Sequence, residues 1–502
     1  MHSHLKTAIT VIMMVVTIAL TACSAAMQLS NSDTTSQSSP KSLVRVTVTS
    51  QGHIFHRPWQ QRQTGTGTAI GVVVPGGQVL VQADLVADQR YIELETIDTQ
   101  LKHPARVAVV DYESNLALVE PLEKDFLADL RPMELADRVA TGDQLAVLQV
   151  KPNGDVVQGP GQVTSIELGV YASGDYFLTY RLDNTLQYRF NNLTLPVVKG
   201  SHLAGILLRQ SGQGRSIEVI ALPVIEHFLQ DAAQGEYRGF PTAGFHSSAL
   251  LDVQLRRYLE IPDALTGIYV QKVIKGSPAD RAGIQAGDVV TRMGDMNVSN
   301  TGQYQHPIYG QTALSHLIRT RYHVGDGVAV ALYRNKSIVE TSMVLDHRRP
   351  EEYLVPPYIF DRTSDYLIVG GLVILELTVP YLQEYGKDWL KNAPVGLLYY
   401  SQNQDYLNGD SRNKIVLISA VIPTPETIGY ETLSDLELLK VNGQPIGKIA
   451  DVKTALLTPR DGFHKFEIKQ HPKAIYLDAG QVDPITQLIE TNYRIPIPSL
   501  EP

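Results

Sequence analysis

Val44, Val46 and Val48 alternate with polar residues, the period of a strand with one buried face. Short apolar runs then recur with turn residues between them. They are Ala69–Val74 before Pro75-Gly76-Gly77, then Val79–Val81, Tyr91–Leu94, Val107–Val110 and Leu116–Val119. Gln144–Val150, Phe177–Leu182, Leu203–Leu208 and Ile217–Leu222 continue the series. Many short strands at regular spacing predict an antiparallel barrel or sandwich. The stretch from Pro223 to Leu229 reads as a helix closing that unit. Beyond it the pattern becomes mixed α+β, with helices expected over Leu314–Ile318 and Val379–Tyr385 among short strands.

With 502 residues the chain is long enough for about two to four domains. Its 43% hydrophobic content supports real cores, and 19% charged residues is below the level of a disordered chain. A formal net charge of −9 and no long Lys/Arg run argue against nucleic acid as a partner.

The single cysteine, Cys23, ends a targeting segment. Lys6 precedes an uncharged apolar stretch from Ala8 to Leu20, too short for an ordinary membrane span and suited to a signal peptide. Leu20-Thr21-Ala22-Cys23 resembles a bacterial lipobox, which predicts a signal peptide over 1–22 and a membrane anchor through a lipid on Cys23. Ser24, not Asp, follows the cysteine, which predicts the outer membrane, facing the periplasm. Residues 23–43 are rich in Ser, Thr, Gln and Asn and read as a flexible tether. The remaining divisions are expected at 44–235, 236–348 and 349–502, with a junction near Arg348-Arg349-Pro350-Glu351-Glu352.

Three landmarks resemble HtrA/Deg serine proteases, closest to the plant-type branch. They are Thr64-Gly65-Thr66-Gly67-Thr68-Ala69-Ile70, the stretch from Gln78 to Val86, and Asp111-Tyr112-Glu113-Ser114-Asn115-Leu116-Ala117-Leu118-Val119. The resemblance implies a mainly β fold: a trypsin-like double β-barrel followed by two PDZ-like α+β domains. It also implies where the catalytic residues should stand, and there the chemistry is missing. Asp84 occupies the histidine position and Asn115 the aspartate position. In the stretch matching the nucleophile turn, Asn191-Asn192-Leu193-Thr194-Leu195-Pro196, Leu193 replaces the serine and the glycines are gone. A one-residue shift would place Thr194 there instead. A serine protease needs an imidazole to take the nucleophile's proton and a carboxylate to orient that imidazole. The pattern therefore predicts a protein without peptidase activity. His53, His56, His103 and His202 read as loop or surface residues. Asp84 and Asp111 form no recognisable metal pattern, and neither a metal nor a cofactor is expected.

PDZ domains add a peptide strand to a sheet edge and hold its terminal carboxylate on backbone amides. In the first such unit the resemblance points to Thr242, Ala243, Gly244 and Phe245 as that loop, with Leu314 and Leu317 on the facing helix. Gly244→Val is expected to weaken capture without unfolding the unit. The run from Gly276 to Val290, with Gly-Ser-Pro-Ala starting a short helix, is the strongest local match. In the last unit Val369, Gly370, Gly371 and Leu372 are the matching loop, either a working site or a structural turn over a groove filled by the chain itself. The expected partners are protein C-termini or unfolded segments, an active protease served by this chain, or further copies of itself in a homo-oligomer. A working endopeptidase with an unrecognised site and a PDZ-driven scaffold are the rival readings.

Overall fold

The computed structural model describes residues 40–184, 195–210, 216–407 and 412–498. Cys23, Leu193 and Thr194 lie outside them. Strands β1 (Leu43–Ser50), β2 (Gly65–Val74), β3 (Gln78–Val81), β4 (Gln89–Thr96), β5 (Lys102–Asp111) and β6 (Leu116–Pro121) close into an antiparallel barrel in the order β1-β2-β3-β6-β5-β4. A one-turn helix, α1 (Ala83–Val86), interrupts it after β3. Strands β7 (Gln144–Val150), β8 (Val156–Val170), β9 (Tyr176–Asn184), β10 (Pro196–Lys199), β11 (His202–Gln210) and β12 (Ser216–Ala221) close a second barrel, and helix α2 (Leu222–Ala232) ends it.

The apolar run in β2 has a structural cause. Ala69 and Val73 face the first barrel's interior beside Val44, Val46 and Ile92. Ile70, Val72 and Val74 face the other way, into a core shared with Val147, Ile206 and Ile220 of the second barrel. Both faces are dry, so the run is continuous rather than alternating. Strand β8 runs through Gly159-Pro160-Gly161, residues whose local preference is for a turn. In the barrel Pro160 lies opposite Ala146 of β7, within a strand that runs on through Gly161 to pair with β9.

Two α+β units follow. The first has strands β13 (Phe245–Ala249), β14 (Ile268–Val273), β15 (Val289–Met293), β16 (Met296–Asn297), β17 (Gln303–His306), β18 (Gly310–Ala313), β19 (Gly327–Arg334) and β20 (Ser337–Val344). Its main sheet runs β13-β14-β15-β19-β20. Its helices are α3 (Val253–Tyr258), α4 (Pro278–Arg281) and α5 (Leu314–Arg321). Ser277 caps α4 by accepting from Asp280 N, with Pro278 in the first turn, as the Gly-Ser-Pro-Ala motif requires.

The second unit has strands β21 (Tyr366–Val369), β22 (Leu372–Glu376), β23 (Val416–Val421), β24 (Leu436–Val441), β25 (Gln444–Pro445), β26 (Phe463–Ile468) and β27 (Ala474–Asp478). Its helices are α6 (Val379–Gln383), α7 (Trp389–Asn392), α8 (Val395–Leu407), α9 (Ile449–Leu456) and α10 (Val482–Tyr493). Among the described residues no helix is long and apolar enough to cross a membrane.

Gly205 in β11 has no room for a methyl group. A Cβ there would lie 2.4 Å from Val219 Cγ1 and 2.7 Å from the Ile220 carbonyl. Gly205→Ala should destabilise the barrels by about 1–3 kcal/mol. Gly396→Ala, at an exposed helical position with nothing within 4 Å, should be neutral or stabilising by up to about 1 kcal/mol. Urea denaturation followed by tyrosine fluorescence reads both; equal midpoints for the two variants would contradict the packing.

Candidate functional site

Asp84 and Asn115, distant in sequence, meet where α1 abuts the β5–β6 turn. Asn115 sits at φ +57°, in the left-handed region that asparagine enters more readily than most residues. From there its carbonyl accepts from Ala83 N at 3.1 Å. Its Oδ1 accepts from Asp84 N at 2.9 Å, and its Nδ2 donates to Asp84 Oδ2 at 3.1 Å. Asn115 thus holds the first turn of α1 and orients the Asp84 carboxylate. That carboxylate is reached by solvent, yet protein crowds it enough that desolvation raises its pKa, against the lowering effect of the Asn115 hydrogen bond. The pair contains no imidazole, and a carboxamide carries no charge with which to stabilise one.

Asp84 lies in a cleft of about 440 Å³ built from six parts of the chain. His53, Phe55 and Arg62 come from the β1–β2 loop, Ser173 from the β8–β9 turn and Gln383 from α6. The segment Pro357–Phe360 forms a further wall. The ring of Tyr112 stacks on Phe360 at 4.0 Å and lies 6.0 Å from Tyr358. Its hydroxyl donates to Asp361 Oδ2 at 2.7 Å. Asp88 and Asp361 each accept the other's backbone N–H at 2.8 Å. The junction between the two α+β units is therefore tied across the cleft.

Asp111 is not a partner of Asp84. It is buried, accepting from Glu113 N, Ser114 N and the Tyr237 hydroxyl. Beside it Glu113 meets His347 Nε2 at 3.0 Å and Arg319 Nη1 at 3.8 Å. Arg319, on α5, also meets Asp175 of the β8–β9 turn at 2.5 Å and lies over the Phe177 ring at 4.6 Å. Burial raises the pKa of both Asp111 and Glu113. His56 Nε2 meets the Tyr381 carbonyl, His103 pairs with Glu123 and His202 with Glu134. Among the described residues none of His53, His56, His103 and His202 is hydrogen-bonded to a serine, and no group of three His, Cys, Asp or Glu is placed to hold a metal ion.

The loop of the first α+β unit has an open side. The Ala243 carbonyl accepts from Ala279 N, and the Gly244 carbonyl from Ile274 N and Ser277 Oγ. Thr242 N donates to the Asp346 carbonyl. The N–H groups of Ala243 and Gly244 have no backbone partner among the described residues. Phe245 begins β13, which pairs with β14 and forms the edge of its sheet. His246 on that strand is hydrogen-bonded to Asp405 of α8 at 2.8 Å.

Two expectations need correction. Leu314 and Leu317 are 5% and 1% exposed and pack in the unit's core, and the cleft that Leu317 lines is shared with Leu222, Pro223 and Tyr309 rather than with the loop at Thr242–Phe245. Gly244, at φ +76°, would place a Cβ 2.2 Å from Ser277 Cβ, so Gly244→Val disrupts the loop rather than testing it cleanly.

The corresponding loop of the second unit is closed. Val369–Leu372 is a buried hairpin turn, and the Gly371 carbonyl accepts from Ile422 N at 2.8 Å. β22 pairs with β21 on one side and β23 on the other, so β22 itself has no free edge, and β21 stands at the end of the sheet. Val369 and Leu372 pair across the turn that joins β21 to β22, with Gly370 and Gly371 between them.

Burial works against a charge on His347, but the hydrogen bond and negative charge of Glu113 outweigh it and its pKa is raised. A raised folded-state pKa gives stability that is full below the unfolded value of about 6.5 and lost as pH rises through the folded value. His347→Gln should abolish that component. The difference in Tm between wild type and variant should therefore shrink from pH 6 to pH 8.5 in scanning fluorimetry; a constant difference would exclude the linkage.

Two family models, each described as a PDZ domain, match residues 249–345 and 355–499. The chain is 26% identical over 461 residues to Protease Do-like 2, chloroplastic, of Arabidopsis thaliana, covering 90% of this chain and 74% of that protein. It is 25% identical over 460 residues to Putative protease Do-like 3, mitochondrial, of the same plant, covering 91% and 78%. Among solved structures, HtrA-type protease AlgW with decapeptide aligns at a TM-score of 0.47 and 18% identity, over 63% of this chain and 98% of that one. With two PDZ domains behind a pair of closed barrels, and Do-like protease relatives along most of its length, the chain belongs to the HtrA/Deg family.

Proposed function

We propose that this chain binds polypeptide without hydrolysing it, as a lipid-anchored HtrA/Deg-like protein of the cell envelope. One observation carries the reading: the Asp84 carboxylate and the Asn115 carboxamide are hydrogen-bonded to each other where the family's resemblance calls for an imidazole and its orienting carboxylate. That pair lacks the group that takes a hydroxyl's proton and returns it to the leaving amine. The edge position of β13 and the amides of Ala243 and Gly244, which have no backbone partner among the described residues, support capture of protein C-termini or unfolded segments by the first PDZ domain. The lipobox ending at Cys23 supports an anchor in the outer membrane, facing the periplasm. The role is then that of a holder, or of an adaptor that presents clients to an active protease. The filled edges of β22 favour an architectural part for the second PDZ domain, as in a scaffold or homo-oligomer.

The purified mature chain should leave casein intact and should not be labelled by a fluorophosphonate probe above a heat-denatured control. Labelling together with inhibitor-sensitive hydrolysis would establish a working endopeptidase instead.

Fluorescence anisotropy with a C-terminal peptide library should show free carboxylates binding more tightly than amidated versions. The expected gap is about 1.5–3 kcal/mol, roughly tenfold to a hundredfold. Equal affinities would remove C-terminus capture and leave the scaffold reading.

A further inference from the structure

We propose that the cleft over Asp84 is a receptor for one alkyl-ammonium or guanidinium group, supplied by a lysine or arginine side chain of a bound polypeptide. The proposal deepens the reading of binding without hydrolysis and rests on it. The cleft's volume of about 440 Å³ lies within the range of about 300–1,000 Å³ typical of ligand-holding clefts.

Its chemistry selects for a cation. The Asp84 carboxylate has one side-chain hydrogen bond, from a neutral amide, and no ion pair among the described residues. Arg62, the one Lys or Arg among the described lining residues, is already committed: it pairs with Glu384 at 2.6 Å and donates to the His53 carbonyl at 3.2 Å. Asp88 adds a second carboxylate to the lining.

The walls are aromatic. Phe55, Tyr112, Tyr358 and Phe360 line the same space, and the Tyr112, Tyr358 and Phe360 rings lie 4.0–6.0 Å from one another. A carboxylate among aromatic rings suits an ammonium or guanidinium head with an apolar stem: the rings attract the cation and cover the methylenes. Desolvation already makes the Asp84 charge costly, and an incoming cation would offset that cost. Asp361 and Asn115 act as positioning residues, one holding the Tyr112 hydroxyl and the other the carboxylate.

The test uses the full mature chain and two labelled eight-residue peptides, identical except for lysine or norleucine at one central position. Both are C-terminally amidated, so that carboxylate capture is not read. Wild type should prefer the lysine peptide by about tenfold, the order expected for a partly desolvated ion pair with cation–π support. Asp84→Asn should bring the two peptides within about twofold. Tyr358→Leu should weaken the lysine peptide severalfold and leave the norleucine peptide unchanged; it decides the matter if the Asp84 variant does not fold. Equal binding by wild type, no binding of either peptide, or a lysine preference kept in the Asp84→Asn variant each overturns the proposal. Displacement of the lysine peptide by cadaverine at the peptide's own Kd would reassign the site to free amines and overturn the polypeptide source. Mass spectrometry of the same incubations reads the parent hypothesis separately. Cleaved peptide would sink the non-hydrolytic reading while leaving the lysine preference standing.

Discussion

The buried meeting of Glu113 with Arg319 and His347 is the contact on which the domain arrangement turns. Removing charges from water costs several kcal/mol per ion, and their attraction repays this only when geometry is good and each charge is met. Here the groups come from separate parts of the chain. Glu113 lies in the β5–β6 turn, Asp175 in the β8–β9 turn, Arg319 on α5 and His347 just past β20. A small rotation of the first PDZ domain would strand at least one charge without a partner. The cluster therefore fixes a pose where a flat apolar contact would tolerate sliding.

That pose gives the two PDZ domains different work. In the first, α5 is held against the second barrel through Arg319, while β13 ends its sheet with β14 as its strand partner and His246 bonded to Asp405 of α8. In the second, β21 folds back on β22, and the domain spends its own chain filling the edge where a peptide would add. Its α6 and the junction before it instead reach the first barrel: Arg62 pairs with Glu384, and Asp361 exchanges hydrogen bonds with Asp88. The Asp84 cleft is consequently a product of domain packing as much as of the barrels.

How far the sequence could be read follows from the range of the interactions. Strands β1, β3 and β12 follow local alternation and turn residues, and the ordered landmarks point to two barrels with two PDZ domains behind them. The positions of Asp84 and Asn115 came from those landmarks, and the structure places them in hydrogen-bond contact. Strand β8 carries a Gly-Pro-Gly whose local signal is that of a turn, while its pairing with β7 and β9 is long-range. The periodicity of Leu314 and Leu317 marks a buried face without saying what buries it. Arg319 reads as an ordinary exposed helical arginine, because its charged partners lie 144 and more positions away. Tyr358 and Phe360 likewise follow the junction at Arg348–Glu352 without any motif of their own; their role depends on a tyrosine in another domain.

The two-faced burial of β2 bears on how the chain reaches its native state. Ile70, Val72 and Val74 turn away from the first barrel into the core of the second. A first barrel synthesised alone would close its own ladder and still present those side chains to water, as a contiguous greasy stripe beside Leu43, Leu80, Leu116 and Leu118. Until β7 through β12 emerge behind it, the nascent segment is sticky and incomplete, and a chain cut between the barrels would aggregate rather than yield a soluble half. The pair behaves as one cooperative folding unit, whatever its internal symmetry suggests.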